Sequence, residues 1–357
     1  MVFGLFGSKE VYVGLDIGNY YMKVVCADAV WQDIKNLKSA KVDLCTKIAV
    51  QNIGDRELLA NELSNLFSSY KAQKKTVKVI ACMSSPNVIV RSIEVPKKVN
   101  IDKEGADIAR NYVPYKIEEA KYEFAPISDE IPEAPDKKEV LLISFLLEDV
   151  VVLNDIISNA GLEKVAIEFD ELGVWRILEG ANYQNFKNTN SIVIDFGYVS
   201  TKIMVFYNGK LKQLRNLRIA GEEIKKRIIE KIGSMEFSDE GWKSISFDDQ
   251  KYSPILIKAF EPLIKELKRT ITAYKGRMDF YNIYTIGGIS YIGGLNEYIQ
   301  KEVSIPVSYI ELDKMSNLIK IDKKIEGDFK REFNIYVNAF GLALRHGQQK
   351  IVTKRII

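Results

Sequence analysis

Two short stretches of this 357-residue chain place an acid, a glycine and small polar residues where together they could hold a charged ligand. In VYVGLDIGNYYMKVV an apolar run leads into Asp16, Gly18 and Asn19 follow, and a second apolar run begins near Lys23. In SIVIDFGYVSTKIMVF the order repeats with Asp195, Gly197, Ser200 and Thr201. Each pattern predicts two strands joined by a tight turn, because Asp and Gly are turn residues and the flanking runs are strand formers. Such a turn offers backbone N–H groups and a carboxylate to whatever lies at its tip. A triphosphate with Mg2+ suits that clamp: amides bond phosphate oxygens, and carboxylates hold the metal through its waters. The two aspartates lie about half a chain apart, so the repeat reads as two similar half-molecules.

An isolated Asp-x-Gly turn is most often structural. A third element changes the balance: in IYTIGGISYIGGLNEYIQKEVSIPV a strand ends at Gly287-Gly288, and a helix begins after Gly293-Gly294. Paired glycines let backbone approach a flat ligand where a side chain would clash.

In this order the three elements resemble the phosphate-1, phosphate-2 and adenosine motifs of the actin-like ATPase superfamily. Lys23 stands seven residues after Asp16 and Thr201 six after Asp195, where that superfamily keeps a phosphate-directed lysine and threonine. Within it, the chain resembles the PilM family of type IV pilus platform proteins, which is itself similar to FtsA. GLDIGNYYMKVV, ARNYVPYKIEEAKYEF, NDIISNAGLEKVAIEFDELGVWRIL, TIGGISYIGGLNEYI and YVNAFGLALR carry the likeness, from about residue 11 to 345.

The resemblance implies an α/β protein of the actin-like ATPase fold: two ribonuclease H-like halves around a nucleotide cleft, with an FtsA-type inserted 1C subdomain. It implies subdomain 1A over 1–98, the 1C insertion over 99–166 and a return to 1A over 167–190. Subdomain 2A follows over 191–225, 2B over 226–280 and 2A again over 281–334, before a C-terminal helix and basic tail over 335–357. It assigns ATP and Mg2+ as cofactors, with Asp16 and Asp195 holding the metal through waters. Gly18, Asn19 and Lys23 would meet the phosphates from the first loop, and Gly197, Ser200 and Thr201 from the second. Gly287, Gly288 and Ile289 would lie under the adenosine. Glu222 and Lys225 would reach the base or ribose, although an i, i+3 charge pair on an exposed helix face explains them equally well.

The family's partner is the cytoplasmic N-terminus of the membrane protein PilN. The implied role is a cytoplasmic adaptor, peripheral to the inner membrane through PilN, that couples the inner-membrane complex to the pilus motor ATPases. An FtsA- or MreB-like filament former, self-associating through the same subdomains, is the alternative. Tyr20, Tyr21 and Tyr198 depart from the family pattern, standing where small residues are usual. No spacing singles out a water-orienting residue among Glu168, Asp170 and Glu171. Nucleotide binding is therefore the expectation, and hydrolysis is expected to be weak or absent. Tyr112, Tyr115 and Phe124 are either groove-lining aromatics or the insert's own core.

Composition narrows the alternatives. With 51 Lys plus Arg against 48 Asp plus Glu, the net charge of +3 gives no concentrated basic surface for nucleic acid. The apolar run VLLISFLL, residues 140–147, falls far short of the roughly 20 residues that span a bilayer. The opening MVFGLFG lacks the features of a signal peptide, so a cytoplasmic location is expected. Cys26, Cys45 and Cys82 sit in or beside strand-like runs and read as small buried hydrophobes. A single histidine, His346, leaves no second imidazole for a metal, argues against a His-based nucleophile device and suits a helix C-terminus. The tail HGQQKIVTKRII is too short for a substantial membrane helix.

Overall fold

The structure is a computed structural model that describes residues 10–349, apart from 51, 53, 86, 129–130, 132–133, 233–240 and 277. The opening apolar segment and the tail beyond Gln349 lie outside the described residues. The chain divides into two compact units, one comprising Met1–Ser84, Val150–Gln184 and Glu311–Ile357, the other Ser85–Asp149 and Asn185–Ile310.

The first unit is built on a sheet of β1 (Glu10–Ile17), β2 (Tyr21–Asp33), β3 (Asn36–Ala49), β4 (Thr76–Met83), a strand Glu163–Ile167 and a strand Ile319–Ile321. β1, β2 and β3 run antiparallel in succession, β4 lies parallel to β1, and Glu163–Ile167 lies parallel to β4. A parallel neighbour requires a crossover, and the helix Leu147–Asn159 supplies it. Its Leu153, Ile156 and Ile157 bury in one core with Val13, Leu15, Ile17, Val79 and the helix residues Leu59 and Leu63. The opposite face of the sheet is covered by the helices Glu171–Gly180 and Phe333–Ala343. His346 is buried beyond that second helix, its ring stacked on Tyr12 at 3.9 Å and its Nε2 3.0 Å from Asp28 Oδ1.

The second unit repeats this order. In chain sequence its strands are β5 (Ile89–Pro96), β6 (Ala120–Ser128), β7 (Lys137–Leu146), then, after the first unit's β8 (Glu163–Ile167), β9 (Ser191–Phe196), β10 (Thr201–Tyr207), β11 (Lys210–Leu217), β12 (Asn282–Ile286) and β13 (Val307–Tyr309); Ile319–Ile321 of the first unit is β14. The sheet order β11-β10-β9-β12-β13 matches β3-β2-β1-β4-β8, with the same parallel and antiparallel pairings. These are two ribonuclease H-like cores of identical topology. β10 and β11 are joined through Asn208 and Gly209, both at positive φ, the geometry an Asn-Gly hairpin turn demands. The core beneath places Ile192, Ile194, Phe196 and Ile203 against the helices Gly221–Ile232 and Ser253–Tyr274.

β5, β7 and β6 extend the second sheet from β11, through the pair Gln213↔Arg91. With the helix Ile101–Arg110 they enclose a small core of Ile93, Val95, Ala109, Ile117, Val140 and Leu142. Tyr112 and Phe124 pack against that core, and Tyr115 OH donates to Asn87 O and lies 2.9 Å from Ser144 Oγ, so all three are tied into this part of the second unit.

Three boundaries differ from the sequence expectation. Ile89–Pro96, read with the first half, pairs with β7 and belongs to the second unit. Val150 to Ala166, read as insert, belongs to the first unit, where the crossover helix and β8 complete the parallel sheet. The chain returns to the first unit by Glu311 rather than 335, because β14 pairs with Ala40–Val42 of β3.

Candidate phosphate-binding site

Ligands of parallel α/β sheets gather beyond the carboxyl ends of the strands. In the first unit those ends are Ile17 of β1, Met83 of β4 and Ile167 of β8. Asp16 is buried one residue before the first turn, and Lys23 faces it across the antiparallel ladder with its Nζ 2.9 Å from Asp16 Oδ2. Gly18 N–H donates to Tyr21 O at 2.9 Å and closes the turn, leaving Asn19 at its tip. A Cβ on Gly18 would lie 3.0 Å from Lys23 Nζ and 3.1 Å from Tyr21 O. Ser84 N–H bonds Ile17 O at 3.0 Å, and its hydroxyl lies 3.4 Å from Asp170 Oδ2, which brings a second buried acid to the same end of the sheet. Glu168 is taken up by Arg176, which contacts both its oxygens at 2.9 Å, and by Arg345 at 2.9 Å. That network is structural.

The second hairpin repeats the register and the turn bond of the first. Asp195 stands opposite Lys202, as Asp16 stands opposite Lys23, and Gly197 N–H donates to Ser200 O at 3.1 Å, as Gly18 does to Tyr21. A Cβ on Gly197 would meet Ser200 O at 2.6 Å. The loop is joined to the helix Gly221–Ile232, whose Gly221 and Glu222 N–H groups donate to Gly197 O at 3.2 Å and Tyr198 O at 2.9 Å. Glu222 is exposed and Lys225 half-buried in the first turns of that helix.

Gly287, just past β12, joins the adenosine motif to this loop. Its φ is +86°, and an added Cβ would lie 2.4 Å from Phe196 O and 2.9 Å from Asp195 Oδ1. Gly288 next to it has no atom within 4 Å of its Cβ position, so open space lies over its backbone. Ser290 Oγ donates to Gly287 O at 2.6 Å, and Tyr309 OH donates to Ser290 O at 2.8 Å. Burial raises the Tyr309 phenol above its ordinary range, which keeps it a donor. Tyr291 stacks with Tyr309, and the Lys243 ammonium lies 5.7 Å from the Tyr291 ring centre. The sequence reading missed this aromatic cluster because its members come from separate elements.

The side chains of two expected contacts are engaged within the second unit. Ile289 is buried in the second core, where its Cδ1 would meet a Cβ on Gly221 at 2.8 Å, so it supports the loop from below. Thr201 is buried opposite Phe196, and its hydroxyl donates to Ile219 O. The register places Lys202, and not Thr201, on the face of Asp195.

Each hairpin, taken by itself, offers a donor set that suits phosphate oxygens and a hydrated cation. Each hairpin pairs one carboxylate with a lysine, and open space over Gly288 adjoins the second hairpin. Among the described residues no group of three or more His, Cys, Asp or Glu is gathered to hold a metal ion.

A duplicated ribonuclease H-like core with an Asp-x-Gly hairpin in each copy defines the actin-like ATPase fold. Solved structures agree: the ethanolamine utilization protein EutJ from Carboxydothermus hydrogenoformans matches at a TM-score of 0.51 with 14% identity, covering 96% of this chain and 92% of that one. MreB5 of Spiroplasma citri bound to ADP matches at 0.50 with 13% identity, over 91% and 97%. The PilM–PilN type IV pilus biogenesis complex matches at 0.74 with 21% identity, over 94% of this chain and 98% of that one. The model of the type IV pilus assembly protein PilM family matches residues 14–347, and the chain belongs to that family.

Proposed function

We propose that this protein is a nucleotide-binding adaptor of the type IV pilus assembly platform, and that it binds the cytoplasmic N-terminal segment of PilN. The observation that carries the reading is the pair of equivalent Asp-x-Gly hairpins in a chain of the PilM family. Asp16 and Asp195 would hold Mg2+ through its waters. Gly18, Asn19 and Lys23 would receive phosphate oxygens from one hairpin, and Gly197 and Ser200 from the other. The bound cation would neutralise phosphate charge. Gly288 offers an open backbone surface for the adenosine, with Gly287 setting the turn beneath it. Glu222 and Lys225 are within the helix that starts at the second loop and would reach the ribose or base.

No helix among the described residues is long and apolar enough to cross a membrane. Attachment to the inner face of the membrane would come through PilN. Coupling to the motor ATPases would then follow from nucleotide-dependent affinity for PilN, since a ligand shifts an equilibrium only by its differential affinity for the two states.

A labelled peptide of the PilN cytoplasmic N-terminus tests this by fluorescence anisotropy. Saturating Mg-ATP is expected to change peptide affinity by about 5-fold or more, the lower range of ordinary coupling energies. No peptide binding with or without nucleotide would contradict the reading.

A further inference from the structure

We infer that Lys202 is a second phosphate-directed cation, the counterpart in the second hairpin of Lys23 in the first. The inference rests on the reading of the two hairpins as phosphate loops. It adds a binding residue and a preference for nucleotides with a β-phosphate.

The two hairpins share the spacing Asp-x-Gly followed by lysine seven residues after the acid: Asp16, Gly18 and Lys23, then Asp195, Gly197 and Lys202. They also share geometry. The glycine in each donates to the carbonyl three residues on, Tyr21 or Ser200, and the lysine in each stands directly opposite the aspartate in an antiparallel ladder. Residues directly opposite on such a ladder point to the same face with Cβ atoms about 5 Å apart. Lys202 therefore shares the face of Asp195, whose carboxylate lies against Gly287. Thr201, one residue earlier, shares the opposite face and is bonded to Ile219 O.

The burial of Lys202 points the same way. Every residue from Thr201 to Phe206 is buried, and Lys202 is the charged member of that run, only 4% exposed. Removing an ammonium from water costs several kcal/mol unless charged or polar groups compensate it. A strand position that needed only packing or β-propensity would hold an apolar residue, as Met204 and Phe206 do on the same face. In the first unit the equivalent lysine is held by its aspartate at 2.9 Å. The Lys202 ammonium would balance part of the extra negative charge of a di- or triphosphate, and an adenosine monophosphate would lack the distal group that it could reach.

Calorimetric titration of Mg-ATP, Mg-ADP and AMP into the wild type, Lys202→Met and Lys202→Arg tests the assignment, with thermal melts of each variant. Loss of a charge-assisted contact predicts about tenfold or greater weakening of ATP and ADP binding in Lys202→Met, with AMP binding unchanged and most of the loss restored in Lys202→Arg. Should the Met variant not fold, Lys202→Gln, which keeps a polar end without the charge, provides the same comparison. A folded Met or Gln variant that binds all three nucleotides like the wild type, or weakens all three equally, would overturn the inference while leaving the phosphate-loop reading intact. A wild type that binds no ATP would overturn both.

Discussion

Lys23 reaches across the β1–β2 ladder to within 2.9 Å of Asp16 Oδ2, and both side chains are largely withdrawn from solvent, at 18% and 6% exposure. Removing one member of such a pair leaves a charge without its counterion. Asp16→Asn and Lys23→Met are each expected to lower stability by about 3 kcal/mol, and the double variant by less than their sum. Urea denaturation of the four proteins measures this. Additive losses would show that the two side chains do not support each other.

The first unit's sheet and helices meet backbone to backbone. A Cβ on Gly14 would lie 1.8 Å from Ala339 O, and one on Gly341 would lie 1.9 Å from Gly173 O. Gly14→Ala and Gly341→Ala are expected to destabilise the protein by about 3 kcal/mol, since the helix Phe333–Ala343 would have to shift as a body. Gly327→Ala is the control. It meets nothing within 4 Å on an exposed helix, and it should be neutral or stabilising by about 0.5–1 kcal/mol.

Gly287 and Gly288 separate fold from binding. Gly287→Ala places a methyl 2.4 Å from Phe196 O at a φ of +86°, so it should lower the melting temperature and disturb Asp195. Gly288→Ala meets open space and should leave melting unchanged while weakening ATP binding. Unchanged ATP affinity in Gly288→Ala would place the adenosine elsewhere.

Alkaline pH should destabilise the protein in a defined window. Burial, with Asp328 and Glu332 nearby, raises the Cys45 thiol from 9.0 to about 11, and burial raises the Tyr183 phenol from 10.0 to about 12. Both groups ionise more readily once unfolded. Their contribution to stability is therefore complete below pH 9 and is lost as pH rises through about 11 and 12. Denaturation midpoints measured from pH 8 to 12 should fall across that range, and Cys45 should react slowly with maleimide at pH 7. Rapid labelling of Cys45 in the native state at pH 7 would contradict this.

Much of this fold was legible in the chain because strand alternation and turn chemistry are local. Asp16-Ile17-Gly18 and Asp195-Phe196-Gly197 announced their hairpins, and Asn208-Gly209 its turn. Register is not local. Thr201 was read as the phosphate-facing residue, and a one-residue difference in pairing sends neighbouring side chains to opposite faces. Ile289 looked like a ligand contact because it follows two glycines, but the short turn at Gly288–Tyr291 folds it into the core. The crossover helix Leu147–Asn159 follows β7 of the second unit without a break in composition, and its burial in the first core, with the parallel pairing of β8 and β4, assigns it to the first.

Binding of Mg-ATP to the wild type and to Asp195→Ala, followed by calorimetry, tests the central claim most directly. The account predicts saturable one-to-one binding by the wild type and its loss, by about tenfold or more, in a variant whose melting temperature is preserved. Binding of equal strength in both, or none in the wild type, would contradict the assignment of the Asp-x-Gly hairpins as phosphate loops.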